Sequence, residues 1–242
     1  MISIIIVGYN SGEFLKKCLD SIYAQSYKDF EIIFIDNCSS DNSLAIARSY
    51  PGLKIIRNIV NAGFPFAVNQ GIKASKGDYV LTLNPDVMLD ENFLTEMKKV
   101  AGSSHAGLFS AKILNSRNRR IDSVGLLLSG FYRFFDRGSG EIDRGQYDNR
   151  LDVFGPCAAA ALYKREMLED ISCDGEYFDN DFFFSVEDFD LAWRALQRGW
   201  KTSFVPGAVC YHFRNGSNSS YRFIQYLSFR NRFFLLKKNG II

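Results

Sequence analysis

The sequence predicts an α/β fold in which helices cover both faces of a mostly parallel central sheet. Through the first hundred residues, strand-like apolar segments alternate with segments of helical periodicity, a pattern typical of βα units and a parallel sheet. The strand-like segments are apolar at consecutive positions, as in strands that are buried on both faces. The 242 residues, 47% apolar and 23% charged, suit one globular domain without internal repeats.

The first half is predicted to contain four strands and four helices. Residues 2–7 are all β-prone and form the first strand, and Ser11 then begins a helix because apolar residues follow it at helical spacing. Ser40 and Asp41 suit the N-terminal cap of the second helix. Further strands are predicted at 32–35, 53–56 and 79–83, and further helices at 41–50, 64–74 and 91–100.

The second half has a weaker pattern and shorter elements. A polar stretch rich in Gly and Arg, residues 137–150, is predicted to be a loop. Strands are predicted at 107–114, 121–128, 151–154, 202–205 and 208–213, an ordered Ala-rich segment at 157–163, and helices at 187–198 and from about Ser219 onward.

Charge is divided unevenly along the chain. The net charge is +2, but Asp190 is the last acidic residue, and residues 191–242 hold nine of the 29 basic residues. That tail carries +9, and the 20 basic and 27 acidic residues before it give −7. The division favours an anionic partner, which could be a membrane surface, a nucleic acid or a polyphosphate; a solvated basic face is the alternative.

Composition also indicates the compartment. No apolar stretch approaches the roughly 20 residues that span a bilayer, and the N-terminus lacks the basic region of a signal peptide. The five cysteines are scattered and show no Cys-x-x-Cys spacing. We therefore expect five reduced thiols in a cytoplasmic protein.

Polar residues follow the predicted strands of the first half. Ligands of open parallel sheets bind beyond the carboxyl ends of the strands, so these positions are candidates for a site. The sequence there lacks the Gly-rich motifs of a dinucleotide cradle or a P-loop. A carboxylate at a strand end can instead hold a phosphate through Mg²⁺ or Mn²⁺. The residues concerned are Tyr9, Asn10, Asp36, Asn37, Asn58 to Asn61, Asn84 and Asp86. Any one of them could simply form a turn or cap a helix, but several together favour a site.

Three carboxylates lie within four residues at Glu187, Asp188 and Asp190, and two interpretations stay open. In the first, Ser185 and Asp188 form a capping box and Asp190 pairs with Arg194. In the second, one carboxylate acts as a general base toward a substrate hydroxyl. His212, similarly, is either a hydrogen-bonded buried residue or a ligand.

Seven segments in order resemble the inverting glycosyltransferases of family 2, which have the GT-A fold with a Rossmann-like sheet, and among them the rhamnosyltransferase-like branch. The resemblance covers essentially the whole chain. The segments are residues 4–10, 35–41, 61–64 with 69–71, 83–87, 155–160, 187–191 and 211–212.

The resemblance implies a role for each candidate residue. Asp188 corresponds to the catalytic base, and Asp86 with His212 to the ligands of Mg²⁺ or Mn²⁺ on the donor diphosphate. The donor-binding residues would be Tyr9, Asn10, Asp36, Asn61, Gly63 and Asn84, with Tyr9 and Asp36 on the nucleobase and ribose. Residues 1–100 would form the nucleotide-sugar half, 101–213 the acceptor and catalytic half, and 214–242 a basic aromatic helical segment of the same domain.

Two departures from the family pattern refine this expectation. Asn84-Pro85-Asp86 has one carboxylate where many members have two, which weakens a strict metal requirement. The Gln-x-x-Arg-Trp motif of processive synthases is absent. We therefore expect transfer of one sugar per encounter.

The leading hypothesis is an inverting glycosyltransferase of cell-surface polysaccharide synthesis. The donor would be a nucleoside-diphosphate sugar such as dTDP-rhamnose or a UDP-hexose, and the acceptor a hydroxyl of a glycan or lipid-linked molecule. The alternative is a nucleotide-sugar-binding module without turnover. A nucleic-acid-binding protein is disfavoured because its recognition motifs are absent. Residues 221–238 interleave aromatic and basic residues at helical spacing, which suits either a peripheral contact with the anionic inner face of the cell membrane or packing on the chain's own domain.

Overall fold

The computed structural model describes residues 1–130, 132–214 and 221–242. Its strands are β1 (Ile2–Gly8), β2 (Phe30–Asp36), β3 (Lys54–Arg57), β4 (Tyr79–Leu83), β5 (Val87–Leu89), β6 (Leu108–Asn115), β7 (Ile121–Ser123), β8 (Leu126–Leu128), β9 (Phe134–Asp136), β10 (Asp152–Val153), β11 (Ala160–Lys164) and β12 (Thr202–His212). Its α-helices are α1 (Gly12–Tyr23), α2 (Ser43–Arg48), α3 (Phe64–Ala74), α4 (Phe93–Ser103), α5 (Arg165–Ile171), α6 (Glu187–Gln197) and α7 (Tyr221–Lys238), and Asn180–Phe182 form a 3₁₀ turn.

One sheet of ten strands passes through both halves of the chain. Its order is β10-β12-β6-β11-β4-β1-β2-β3, with β5 paired to β12 and β7 to β6. The neighbours β4, β1, β2 and β3 are parallel, as are β6 and β12, whereas β11 runs antiparallel between β4 and β6. The predicted α/β fold with a mostly parallel sheet is confirmed, and the carboxyl ends of β1 to β4 lie at one edge.

Helices bury both faces of this sheet. Successive side chains of a strand point to opposite faces, so Ile4 packs in the cluster that contains Leu15 of α1, while Ile5 packs with Val68 of α3. This arrangement explains why the central strands are apolar at consecutive positions.

The second half differs from expectation in its short elements. The predicted strand 121–128 is two strands, because β7 joins the main sheet and β8 pairs with β9 in a separate ribbon. The chain turns between them at Gly125, where φ is +112° and an added Cβ would lie 2.6 Å from Val153. The predicted strands 202–205 and 208–213 are instead one strand, β12, whose register shifts between Val205 and Val209.

The predicted loop at 137–150 and the predicted free thiols are both present in the structure. Residues 137–150 form turns, and Arg137 fastens them by donating to the carbonyl oxygens of Arg150 and Val124, each at 2.8 Å. All five cysteines are free thiols. Ser219, the expected start of the last helix, lies outside the described residues, within which α7 begins at Tyr221. In the described part of the chain, no helix combines the length and apolarity needed to cross a membrane.

Candidate active site

A cavity of about 500 Å³ opens beyond the carboxyl ends of β1 and β4. The segment before α6 and one side of α7 complete its wall. Seven of the nine predicted site residues line it: Tyr9, Asn61, Gly63, Asn84, Asp86, Asp188 and His212. Asn10 and Asp36 lie beside the cavity without lining it. The fold thus brings together residues that are separated by up to about 200 positions in sequence.

Asn37 organises the loop between β3 and α3. Its amide nitrogen lies 2.8 Å from Asn61 Oδ1 and 3.2 Å from the Gly63 carbonyl oxygen. Gly63 has φ of +86°, and a Cβ added there would lie 2.5 Å from the carbonyl oxygen of Phe183. Only glycine allows this loop to approach the segment that leads to Asp188.

Asp36 is completely buried at the end of β2. Its Oδ1 accepts a hydrogen bond from the Ser39 backbone N–H at 3.2 Å. Its Oδ2 has no hydrogen-bond partner among the described residues and lies 3.8 Å from Arg57 Nε. A buried carboxylate oxygen that accepts no hydrogen bond is costly, and the ion pair with Arg57 offsets part of that cost. A contact of Asp36 with a donor stays a prediction.

Asn10 serves the neighbouring loop in the described structure. Its backbone has φ of +50°, and its side-chain oxygen accepts a hydrogen bond from the Ser40 N–H at 2.8 Å. The side chain therefore ties the end of β1 to the loop after β2. A direct contact of Asn10 with a donor stays a prediction.

Asp86 and His212 meet on one wall of the cavity. His212 Nε2 lies 3.3 Å from Asp86 Oδ1, and Nδ1 lies 2.8 Å from Asp122 Oδ2. Burial by itself lowers the pKa of His212, but the hydrogen bonds with Asp122 and Asp86 outweigh it and raise that pKa to about 9. Arg214 Nε donates to the other Asp122 oxygen at 2.6 Å.

This pair suits a divalent cation shared with substrate. Mg²⁺ is commonly held by one or two protein groups together with phosphate oxygens, and a ligating histidine is usually oriented by a carboxylate on its second nitrogen. Asp86 would supply the oxygen, His212 the nitrogen once Nε2 has given up its proton to the incoming cation, and Asp122 the orienting carboxylate. Among the described residues, no group of three or more His, Cys, Asp or Glu side chains is arranged to hold a metal alone.

Asp188 stands in the first turn of α6. Its Oδ2 accepts a hydrogen bond from the Ala158 N–H at 3.3 Å, and its Oδ1 from the Phe189 N–H at 2.9 Å. Burial and the charge of Asp136 raise the pKa of Asp188 above its ordinary value. A carboxylate with a raised pKa is a better proton acceptor near neutral pH.

The first interpretation of this segment is half right. Val186, not Ser185, is the residue that precedes α6, and no described side chain caps the helix there, so the capping box of Ser185 and Asp188 is wrong. The ion pair is confirmed, since Arg194 Nε lies 2.8 Å from Asp190 Oδ2. Asp190 is thus engaged in an ion pair within α6, whereas Asp188 lines the cavity.

Sequence reasoning left Glu187 without a role and missed Asp122. Glu187 also lines the cavity and is 7% exposed, and within the described part of the chain its Oε2 atom has no hydrogen-bond partner. Burial and the charge of Asp188 raise the pKa of Glu187. Asp122 lies 90 residues before His212 in the short strand β7, and no sequence signal connects the two. The density of acidic residues after Ser185 was the one available signal for Glu187.

Comparisons with known proteins show the family of this chain. The family model described as glycosyl transferase family 2 matches residues 3–172. A poly(ribitol-phosphate) beta-glucosyltransferase of Bacillus spizizenii is 32% identical over 127 residues, which are 50% of this chain and 20% of that protein. A poly-beta-1,6-N-acetyl-D-glucosamine synthase of Staphylococcus aureus is 26% identical over 220 residues, which are 87% of this chain and 49% of that protein. The chain thus spans half or less of the length of these relatives.

A solved structure shares the fold. The mannosyltransferase PcManGT from Pyrobaculum calidifontis, in complex with GDP-Man and Mn²⁺, superposes with a TM-score of 0.68 at 18% identity, over 93% of this chain and 60% of that one. The family model covers well over half of the chain, and the strand-end cavity contains the residues expected of such a protein. The chain belongs to glycosyl transferase family 2.

Proposed function

We propose that this chain transfers one sugar at a time, with inversion, from a nucleoside-diphosphate sugar to an acceptor hydroxyl. The observation that carries the proposal is a single cavity in which Asp188, with its raised pKa, is brought together with the Asp86–His212 pair. The cavity thus combines a proton acceptor with groups suited to a bound diphosphate. Rhamnosyltransferase-like specificity, with dTDP-rhamnose or a UDP-hexose as donor, is the finer form of the proposal.

The chemistry needs a proton acceptor and stabilisation of a leaving group. Asp188 takes the proton of the acceptor hydroxyl while that oxygen bonds to the anomeric carbon, and the bond from this carbon to the diphosphate oxygen breaks. A single displacement inverts the anomeric configuration. Tyr9 and Asp36 would contact the nucleobase and ribose of the donor, and the further donor-binding residues would be Asn10, Asn61, Gly63 and Asn84. A Mg²⁺ or Mn²⁺ ion held by Asp86 and His212 would supply positive charge to the departing diphosphate.

The acceptor is proposed to be a glycan or lipid-linked molecule of the cell surface. The two curated relatives are named for a poly(ribitol-phosphate) and a polysaccharide product, which supports an acceptor of this class. We place the protein in the cytoplasm, at the inner face of the cell membrane, with α7 as the contact to anionic lipid.

A thermal-shift panel tests the donor site. UDP-, GDP- and dTDP-sugars are added to the purified chain with and without Mn²⁺, because a ligand that binds only the native state raises the melting temperature. We expect one nucleotide class to raise it, and Mn²⁺ to enlarge that increase. Asp86→Asn should remove the enlargement, whereas Glu91→Gln, at an exposed carboxylate, should keep it. The absence of any shift across the panel would contradict a donor site.

Turnover separates the enzyme from its alternative. A binding module would give the same thermal shifts but would neither transfer nor hydrolyse the sugar. Release of the nucleoside diphosphate by the wild-type chain supports the proposed enzyme. If the chain binds donor but releases no nucleoside diphosphate with any of a panel of glycan acceptors, the binding module without turnover is favoured.

A further inference from the structure

The segment that leads into Asp188 has an unfavourable backbone. Phe183, Ser185 and Val186 have φ values of 60°, 74° and 73°. This left-handed region suits glycine, and a β-branched residue such as Val186 is a genuine outlier there. Such conformations persist only where the surroundings impose them, and they concentrate at functional sites. The segment 182–186 is therefore held in place by something outside itself.

One side chain of α7 supplies much of that restraint. The amide nitrogen of Asn231 donates to the carbonyl oxygens of Phe182 at 2.8 Å, Phe184 at 2.8 Å and Ser185 at 2.6 Å. Asn231 is completely buried. A side-chain amide has two N–H donors, so all of its donor capacity is spent on this one segment.

The opposite side of the segment rests on α3. The Phe64 N–H donates to the Phe183 carbonyl oxygen at 2.7 Å, where Gly63 allows the close approach. Arg230 adds a hydrogen bond from Nη2 to the Asp181 carbonyl oxygen at 2.7 Å. The segment is thus clamped between the start of α3 and the middle of α7, one residue before α6 begins at Glu187.

We propose that Asn231 is a positioning residue for sugar transfer. By holding the carbonyl groups of Phe182, Phe184 and Ser185, it fixes the start of α6 and so the place of the Asp188 carboxylate relative to the acceptor hydroxyl. This inference rests on the proposed function. Asn231 acts through Asp188, so its loss lowers turnover more than donor affinity. A shift of about 1 Å in a reacting group can cost about 100-fold in rate.

Asn231→Ala tests the inference, with Asn239→Ala as the matched control. Asn239 lies just beyond α7, where its amide nitrogen donates to the Leu235 carbonyl oxygen at 2.8 Å and its oxygen accepts from Gln197 Nε2 at 3.1 Å. We expect Asn231→Ala to lower kcat about 100-fold and to change donor Kd less than about threefold, and the control to change neither. The acid limb of the pH–rate profile should also move in Asn231→Ala alone, because that limb reports the ionisation of the base.

Each remaining outcome decides against the inference. A kcat within about threefold of wild type, or equal losses in kcat and donor affinity, would overturn it. If Asn231→Ala fails to fold, Asn231→Ser is measured in its place, and unfolding of both variants would reduce Asn231 to a structural residue. If the wild-type chain binds donor but never transfers sugar, the proposed function itself is wrong. If the wild type and Asn231→Ala are both fully active, only the role of Asn231 is wrong.

Discussion

At the scale of single residues, Asp188 combines a chemical role with an unfavourable environment. It shares the first turn of α6 with Glu187, and burial raises the pKa of both carboxyl groups. The folded chain therefore holds protons on this pair at a pH where the unfolded chain has released them. Stability supplied by these protons is lost as the pH rises toward the raised pKa values.

Asp188→Asn should consequently stabilise the chain. We expect a gain of about 1–2 kcal/mol in the free energy of unfolding at pH 8, because an amide carries no buried charge, and a smaller gain at pH 5. Urea unfolding at the two pH values measures the difference. Glu91→Gln, at an exposed carboxylate, should change the free energy of unfolding equally at the two pH values. An Asp188→Asn variant that is less stable than wild type at pH 8 would show that the Asp188 carboxylate is not destabilised by burial.

Asp122 gives a second prediction at this scale. Its oxygen 2.8 Å from His212 Nδ1 fixes the ring orientation, and loss of such a partner typically costs about 10–100-fold in metal affinity. We expect Asp122→Asn to weaken the Mn²⁺ response of the nucleotide-bound chain by that factor, measured by titration of Mn²⁺. The exposed Asp152, changed to Asn, is the control. Unchanged Mn²⁺ affinity in Asp122→Asn would remove Asp122 from the site.

At the scale of elements, the start of α3 and the segment before α6 are one unit. Gly63 and Gly52 both have positive φ, but an added Cβ at Gly63 would meet Phe183, whereas an added Cβ at Gly52 would meet no described atom within 4 Å. Gly52→Ala should cost only the backbone strain, about 1–2 kcal/mol. Gly63→Ala should cost more and should also reduce transfer, because it displaces the segment that leads to Asp188.

Melting curves and transfer rates of the two glycine variants test this coupling. Equal losses of stability in both variants, with transfer intact in Gly63→Ala, would show that the contact with Phe183 does not matter.

The sequence predicted the elements whose signal is local. β1 to β4 and helices α1 to α4 follow from continuous apolar strands and from helical periodicity, and their strand-end residues indicated the cavity. β5 and β9 have three residues each, and they form only because β12 and β8 lie beside them. The Asp122–His212 contact and the clamp of Asn231 on residues 182–186 join distant segments, so no local pattern indicates them.

At the scale of the whole molecule, α7 has two different faces. Leu227, Asn231 and Leu235 are buried against the domain. On the opposite side, three large aromatic side chains are exposed at helical spacing, with a basic residue at each end of the row. We call this surface the aromatic stripe; it consists of Arg222, Tyr226, Phe229, Phe233 and Lys237. The two predicted roles of residues 221–238 are therefore compatible. The buried face packs on the domain, and the exposed face is accessible to a lipid surface.

Binding to anionic vesicles tests the aromatic stripe. We expect the chain to sediment with phosphatidylglycerol vesicles at low salt and to be released as salt rises, because basic residues near such a surface contribute about 1 kcal/mol each and salt screens them. Phe229→Ser should weaken the binding, and Ile59→Ser, at an exposed apolar residue far along the chain from α7, should not. No sedimentation at low salt would contradict a membrane contact.

In the proposed reaction the cavity is catalytic and Asp188 takes the proton of the acceptor hydroxyl. The most direct measurement is the rate of sugar transfer by wild type and by Asp188→Asn, together with donor affinity by titration, once the panel has identified the donor. We predict a loss of at least about 1,000-fold in kcat, with donor Kd changed less than about threefold, since an amide cannot act as the base. Turnover by Asp188→Asn at the wild-type rate would show that Asp188 is not the base.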